Sequence, residues 1–402
     1  MKPWTRLIFV LFISSLSLNA CQMPYLRADV SREEIEAVVQ EDAIAFDPQM
    51  IPGDIADELA AYDVVFLGEV HNLQNQADLI GALATALQPQ GFRHILLECF
   101  HAFDWMINAY ALGEDISLHP YVERYYGSVL EDVRALNMHL PPEERIQVHA
   151  IDINHDAGAL GVSLQALAAT LPDSQVLETL ALELLERDPD AQTSVLEAFR
   201  DQLEERESEW ADRWGAEWVD QIAVMIDVQL DSIVIKQRWN SDYHGAHRLR
   251  EAVICSLVDD LLLRAEGGTL INMGFNHAQL TPLRGTNQEW LGEYLHESSE
   301  HAGDVYSLCV MITNGYRLSD EGELVRFNLL DDSRNNELLR VMWENFPEAA
   351  VFLPFQASFF HDRMIPVNLL GDVRAYHPAA VYDALILLHD ARPLESLGLD
   401  LP

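Results

Sequence analysis

Two four-residue segments, 68–71 (Gly-Glu-Val-His) and 274–277 (Gly-Phe-Asn-His), hold the residues of this chain best suited to chemistry. Imidazole can act as an acid, a base or a metal ligand near neutral pH. In an extended chain Glu69 and His71 project on the same face, so the carboxylate would raise the basicity of the imidazole and orient its ring. This pair therefore predicts a general base or a metal ligand.

Each candidate residue follows a short apolar run, which indicates a buried parallel strand. Glycine at the end of a run lets the chain turn without a Cβ clash. Ligands of α/β sheets bind beyond the carboxyl ends of the strands, so these residues should meet at one edge of the sheet. The runs are 64–67 before Glu69 and His71, 95–97 before Glu98, 148–151 before Asp152, and 269–273 before His277.

Several carboxylates at one edge would repel each other, and the pKa of one would rise unless a cation lay between them. A metal ion or an arginine can supply that charge. His71, Glu98 and His277, with Asp152, form a mixed nitrogen and oxygen donor set compatible with Zn, Mn or Fe, although none of the strong metal-binding spacings is present. Asp152 is equally well suited to capping the next helix.

Arg248 and Arg250 open an amphipathic helix that leads into the second His segment, and either can reach the same edge. The sequence contains no G-x-S-x-G, H-E-x-x-H, Walker or G-x-G-x-x-G motif. It therefore gives no support for a serine hydrolase, a zincin or a nucleotide-binding protein.

Strand and helix patterns alternate along most of the chain, which is typical of α/β proteins. Between about 157 and 264, Glu/Leu/Ala-rich helical periodicity predicts a helical insertion that covers one end of the sheet. The predicted fold class is α/β, with a mostly parallel central sheet flanked by helices. Strands are expected at 62–67, 93–98, 146–152, 269–273, 305–312, 349–353 and 381–388, and helices at 74–87 and 101–111.

The first twenty residues predict an export signal, because a basic start is followed by an apolar stretch at 7–18 and a small residue, Ala20. With Cys21 the pattern resembles the bacterial lipobox, which implies a lipoprotein signal peptide at 1–20 and lipid attachment at Cys21. An ordinary secretory signal is the alternative. Gln22, by resemblance to enterobacterial lipoproteins, implies anchoring in the outer membrane, facing the periplasm. Residues 21–45 are predicted as a tether, in which Ser31 can cap a short helix.

The formal net charge of −40 would repel nucleic acid and anionic membrane surfaces, so contact with a membrane is expected through the lipid alone. The hydrophobic share of 49% is normal for a globular protein. Cys99, Cys255 and Cys309 lie in apolar segments without a C-x-x-C spacing. Buried free thiols are therefore expected rather than disulfides or a zinc cluster.

The segment 66–71, the helix after it and the run ending in Glu98 resemble the opening of the ChaN-type haem-uptake lipoproteins. Erythromycin esterases and the TraB/Tiki proteins share this plan. The resemblance implies a single α/β domain over 46–402, whose polar site consists of Glu69, His71, Glu98, Arg250 and His277. It departs from the family pattern at Glu251, where Asp or Asn is usual.

The resemblance implies two alternative functions. In a hydrolase, His71 would activate water on an ester, lactone or amide, with Arg250 and His277 stabilising the oxyanion or a metal shared by His71 and His277. In a haem-binding protein for iron uptake, a Tyr or His would ligate iron. No tyrosine matches the family's haem ligand, and Tyr121, Tyr125 and Tyr126 equally suit a core role. The expected partner is a small-molecule substrate or haem, and a divalent metal or haem is the expected cofactor.

Overall fold

The computed structural model describes residues 30–282, 289–297, 299–318, 323–331, 336–369 and 372–399. The predicted signal segment and Cys21 lie outside these residues. Over the described chain, every helix is too short or too polar to cross a lipid bilayer.

The strands and helices alternate over most of the described chain, as predicted. The strands are β1 (Ile44–Phe46), β2 (Val64–Glu69), β3 (Phe92–Phe100), β4 (Gln147–Asp152), β5 (Gly268–Gly274), β6 (Val305–Ile312), β7 (Asn314–Leu318), β8 (Leu324–Asn328), β9 (Ala350–Pro354), β10 (Ile365–Leu369), β11 (Asp372–Tyr376) and β12 (Ala384–Leu388). The helices are α1 (Arg32–Asp42), α2 (Gly53–Leu59), α3 (Gln74–Leu87), α4 (Asp104–Ala111), α5 (Pro120–Asn137), α6 (Ala159–Ala168), α7 (Gln175–Glu186), α8 (Pro189–Glu205), α9 (Glu207–Trp214), α10 (Ala216–Trp239), α11 (Tyr243–Leu262), α12 (Leu291–Glu297), α13 (Glu337–Asn345), α14 (Ser358–Asp362) and α15 (Pro378–Val381).

Eight strands form the central sheet in the order β1-β9-β12-β6-β2-β5-β3-β4. The six strands from β12 to β4 are parallel, whereas β9 pairs antiparallel with β12 and β1. The predicted α/β class with a mostly parallel central sheet is therefore confirmed. The carboxyl ends of β2, β5, β3 and β4 lie side by side, because these four strands are consecutive neighbours.

Residues 64–67 of β2 are all apolar because both faces of the sheet are covered. Val65 and Leu67 belong to a hydrophobic cluster on one face, together with α3, α5 and helices α6–α10. Val64 and Phe66 belong to the cluster on the opposite face, which includes apolar residues of α11. The run of helices between β4 and β5 thus covers one face, and its last helix crosses to the other.

Residues 32–46 fall mostly within the segment predicted as a tether, but they form α1 and β1. Ser31 caps α1 as predicted: its hydroxyl accepts from the Glu34 amide at 3.2 Å, and the Glu34 carboxylate accepts from the Ser31 amide at 2.8 Å. Ile35 and Val39, one turn apart, are buried, and β1 pairs with β9. The segment is mostly polar, and the buried face of α1 has only Ile35 and Val39, so the helical pattern was too weak to predict that α1 packs on the domain.

The outer edge of β4 is occupied by side chains rather than by another strand. The Val148 amide donates to Asn108 Oδ1 at 3.2 Å, and the Ala150 amide donates to Asp104 Oδ1 at 2.8 Å. His101 Nδ1 lies 2.8 Å from the Ala150 carbonyl oxygen. Helix α4 and the turn before it therefore satisfy the backbone groups that an edge strand usually exposes.

Candidate active site

Glu69 ends β2, and its carboxylate holds His71 as the sequence predicts. Glu69 Oε1 lies 2.7 Å from His71 Nδ1. The other oxygen, Oε2, accepts from Asn272 Nδ2 at 2.6 Å, and Asn272 Oδ1 accepts from Gln76 Nε2 at 3.1 Å. This chain of hydrogen bonds fixes the ring and leaves His71 Nε2 facing Glu98 Oε2, 3.7 Å away.

Glu98, near the end of β3, is held by a cation from helix α11. Arg250 donates to both oxygens of Asp152, at 2.7 Å each, and its NH2 group also donates to Glu98. The other Glu98 oxygen accepts from the Gly274 amide at 2.8 Å. Arg250 therefore supplies the positive charge that the crowded carboxylates require.

His277 follows β5 and is buried behind Glu98. Its Nδ1 lies 2.9 Å from Glu251 Oε1, and its Nε2 lies 3.5 Å from Glu98 Oε1. Glu251 Oε2 also accepts from the Leu291 amide at 3.2 Å. The Trp290 ring packs edge-on against His277, with the ring centroids 5.0 Å apart. Glu251, the departure from the family pattern, is thus the residue that orients His277.

The carboxylates shift the pKa values of both histidines upward. Partial desolvation lowers the pKa of His71, but the charge of Glu98 and the hydrogen bond and charge of Glu69 outweigh it and raise the pKa to about 9. Burial likewise lowers the pKa of His277, and the charges of Glu251 and Glu98 raise it above its ordinary value. Burial raises the pKa of Glu98, whereas His277, His71 and Arg250 together hold it at about 2. At neutral pH the resting site thus contains imidazolium and carboxylate.

Two glycines let the segments of this site approach closely. A Cβ on Gly68 would lie 2.9 Å from Ala278 Cβ and from Phe275 Cα, and a Cβ on Gly274 would lie 2.9 Å from His71 Nε2. Gly68 lies inside β2, so the prediction that it makes the turn is wrong. The turn after His71 uses Asn72 at φ 64°, a left-handed conformation that asparagine tolerates.

Two adjoining cavities meet at His71 and share seven lining residues, namely Glu69, His71, Asn72, Glu98, Tyr125, His247 and Arg250. The first cavity, of about 420 Å³, also contains Asp152, His155 and a wall of aromatic side chains, namely Phe100, Tyr121, Tyr125, Tyr126 and Trp239. The second cavity, of about 490 Å³, is lined by Phe275, Asn276, His277, Trp290 and Arg317. Both volumes are typical of small-molecule sites.

The arrangement gives the predicted metal site no geometric support. Within the described residues, no set of three or more His, Cys, Asp or Glu side chains is placed so that it could hold a metal ion, and this includes His71, Glu98 and His277. Each of these side chains already has a charged partner in the protein.

The three tyrosines considered as haem ligands all line the first cavity. Tyr126 donates its hydroxyl proton to the Glu98 carbonyl oxygen. Burial raises the pKa of Tyr126 well above its ordinary value, and burial raises that of Tyr121 as well. Both side chains are therefore held as neutral phenols.

The structure brings Glu69, His71, Glu98, Asp152, Arg250 and His277 into one site, at the edge where the sequence places them. Arg248 is the exception, because it is exposed and lines a different cavity with Cys255 and Asp259. Neither arginine opens α11, which begins at Tyr243, so Arg250 lies in its third turn. Of the three predicted structural thiols, Cys99 and Cys309 are buried, Cys255 is half-buried, and all three are free.

Sequence reasoning missed Asn272, Gln76 and Glu251, which hold the histidines and their partners. Asn272 carried a signal, because it is a polar residue inside an otherwise apolar strand. A buried polar side chain needs a partner, so its position next to a predicted site pointed to a role there. Gln76 and Glu251 lie on helices where polar residues are ordinary, and their sequence gave no comparable sign.

No protein-family model and no curated protein matches this chain, but several solved structures share its fold. A protein from Bacillus cereus aligns with a TM-score of 0.69 at 12% identity, covering 92% of this chain and 100% of its own. A succinoglycan biosynthesis protein aligns with a TM-score of 0.68 at 14% identity, covering 90% of this chain and 98% of its own. A variant of the erythromycin esterase EreC in its open conformation aligns with a TM-score of 0.61 at 14% identity, covering 87% and 98%. The predicted likeness to erythromycin esterases is confirmed for the fold.

Proposed function

We propose that this protein is a hydrolase of an ester, lactone or amide, in which His71 activates water. The observation that carries the proposal is the chain from Gln76 through Asn272 and Glu69 to His71 Nδ1, which leaves Nε2 open to both cavities. A histidine with a purely structural role does not need a chain of hydrogen bonds that fixes its ring, whereas a general base must be held in one orientation.

The 3.7 Å between His71 Nε2 and Glu98 Oε2 is suited to a water molecule that hydrogen-bonds to both atoms. In the proposed step this water gives a proton to Nε2 while its oxygen forms a bond to the carbonyl carbon. The charge that develops on the carbonyl oxygen is stabilised by His277, assisted by the positive charge of Arg250. The C–O or C–N bond then breaks, and the proton on His71 passes to the leaving group.

The direct test is hydrolysis of a panel of ester, lactone and amide substrates by the wild type and by His71→Ala. A positioned base contributes about 10²–10⁴-fold in rate, so the variant should lose turnover by that factor while its circular dichroism is unchanged. Arg248→Ala, on the same helix as Arg250 but lining a different cavity, is the matched control and should retain activity. Equal rates for the wild type and His71→Ala would contradict the proposal.

The alternative function is haem binding without catalysis. Titration of the same preparation with haem distinguishes it from hydrolysis. A stoichiometric Soret band that is lost in Tyr125→Phe or His71→Ala, without turnover on any substrate, would replace the hydrolase proposal.

We further propose that the mature protein is exported and anchored by a lipid on Cys21 in the outer membrane, facing the periplasm. The support is the basic, apolar and small-residue pattern that precedes Cys21. Growth with radiolabelled palmitate should label the wild type and leave Cys21→Ser unlabelled. Equal labelling of the two proteins would show that Cys21 carries no lipid.

A further inference from the structure

The positively charged side chains around the second cavity differ in whether a carboxylate of the protein neutralises their charge. His71 pairs with Glu69, Arg250 pairs with Asp152 and Glu98, and His277 pairs with Glu251. In these pairs the positive charge is already matched by a carboxylate of the protein. They can therefore orient and stabilise reacting groups, but they attract an additional anion only weakly.

Arg317, on β7, is the exception among the described residues that line the second cavity. No described carboxylate lies within 4.0 Å of its guanidinium group, which donates one long hydrogen bond, 3.4 Å, to the Leu318 carbonyl oxygen. Its Nε atom is shielded from solvent and has no hydrogen-bond partner within the described chain. A guanidinium group kept partly buried without an anion is costly unless a ligand supplies one.

A second residue that lines the same cavity carries an unsatisfied donor. Trp290, which is 9% exposed, has no partner for its indole Nε1 among the described residues. An indole N–H can only donate, and the guanidinium group can only donate. Two unmatched donors in one cavity fit a ligand group that can only accept hydrogen bonds, such as a carboxylate or a phosphate.

Arg317 stands on a hairpin, β7–β8, that is fixed to the sheet. The Ala391 amide donates to the Asn314 carbonyl oxygen at 2.6 Å, and the Tyr316 amide donates to the Ala391 carbonyl oxygen at 3.0 Å. Gly315, at φ 134°, permits this contact, because a Cβ there would lie 2.3 Å from the Ala391 oxygen. The backbone of Arg317 is therefore set in place before any ligand binds, which lowers the entropic cost of binding.

The first cavity, which adjoins the second at His71, offers a different surface. Phe100 and Tyr121 stack with centroids 4.3 Å apart, Tyr121 and Tyr125 lie 5.0 Å apart, and Trp239 packs against His247 at 4.6 Å. Such a wall binds flat or apolar groups. The two adjoining cavities thus present an aromatic surface and an unmatched cation beside one candidate base.

We propose that the substrate has an aromatic or apolar group on one side of the scissile ester, lactone or amide bond and an anionic group on the other. The first cavity binds the apolar side, and Arg317 binds the anion in the second cavity. This inference rests on the proposed hydrolase function, and Arg317 is its specificity-determining residue. The net charge of −40 does not oppose it, because charges across the surface are screened within about 10 Å, whereas Arg317 acts at contact distance.

The test compares two esters that differ in one terminal group, p-nitrophenyl pentanoate and mono-p-nitrophenyl glutarate. A hydrogen-bonded ion pair at this site should give the glutarate ester a kcat/KM roughly 10- to 100-fold higher in the wild type. Arg317→Ala should remove that preference, while Arg317→Lys should keep part of it. Arg326→Ala is the matched control, because Arg326 is exposed on β8 of the same hairpin and lines neither cavity.

Failure of the inference and failure of the hydrolase proposal give different results. Equal kcat/KM values for the two esters, or a preference that survives in Arg317→Ala, would overturn the inference and leave the hydrolase proposal standing. If neither ester is hydrolysed, calorimetric titration with phenylbutyrate and with its neutral amide decides the matter. Tighter binding of phenylbutyrate by the wild type and by Arg326→Ala, but not by Arg317→Ala, would support the inference, and equal affinities would overturn it.

Discussion

The site has an inner half, formed by Arg250, Asp152 and Glu98, and an outer half around His71. Both halves contain ionisable side chains, but in different surroundings. In the inner half, the side chains of Arg250, Asp152 and Glu98 are 9%, 3% and 10% exposed, and each charge meets its opposite. In the outer half, the His71 side chain is 53% exposed. A buried charge must keep its partner, whereas a group in contact with water can change its protonation state. The inner half is therefore the support, and the outer half can carry out proton transfer.

The largest effect that this comparison predicts is on stability, from Arg250→Met. The change removes a buried cation and leaves Asp152 and Glu98 as buried carboxylates without compensation. Breaking a buried ion pair on one side typically costs about 3–5 kcal/mol, so urea unfolding should show a loss of that order.

The control for Arg250→Met is Arg248→Ala on the same helix. Arg248 is exposed, so Arg248→Ala should change the free energy of unfolding of the protein by less than about 0.5 kcal/mol. If Arg250→Met changed the free energy of unfolding as little as Arg248→Ala does, the charges of the inner half would not be coupled. The contrast between the two halves would then fail.

A smaller effect is predicted for the pH dependence of hydrolysis. The pKa of His71 is raised to about 9, so its neutral, basic form and with it kcat/KM should increase about tenfold per pH unit below 9 and level off above it. Glu69→Gln removes a carboxylate that favours the imidazolium form, and the plateau should begin at a lower pH. A profile that is unchanged in Glu69→Gln would show that Glu69 does not set the protonation of His71.

The smallest effect is expected from Gly274→Ala, which acts on both halves at their boundary. The new Cβ would lie 2.9 Å from His71 Nε2 and 3.6 Å from Glu98 Oε2, so the ring must move. Displacement of a catalytic group by a few tenths of an ångström should lower kcat by about tenfold. Gly53→Ala, whose Cβ would have no neighbour within 4 Å, is the matched control and should retain full activity.

The sequence was sufficient to place the ionisable residues at one edge, because apolar runs identify buried parallel strands whose ends must meet. The helical pattern alone left both Arg248 and Arg250 within reach of the site, since that choice depends on which face of α11 packs on the sheet, and the family resemblance favoured Arg250. It also missed the hairpin that carries Arg317. The residues of β7 and β8 are half-buried or exposed and pair with each other outside the central sheet, so their apolar pattern is weak.

The outer edge of β4 has a consequence for behaviour in solution. Sheets with an open edge recruit strands from other chains, and this is a common route to aggregation. Here Asp104 and Asn108 already occupy the amides of Ala150 and Val148, so a second molecule finds no donors there to pair with. A helix placed beside β4 thus closes this edge of the sheet to pairing with a strand of another molecule.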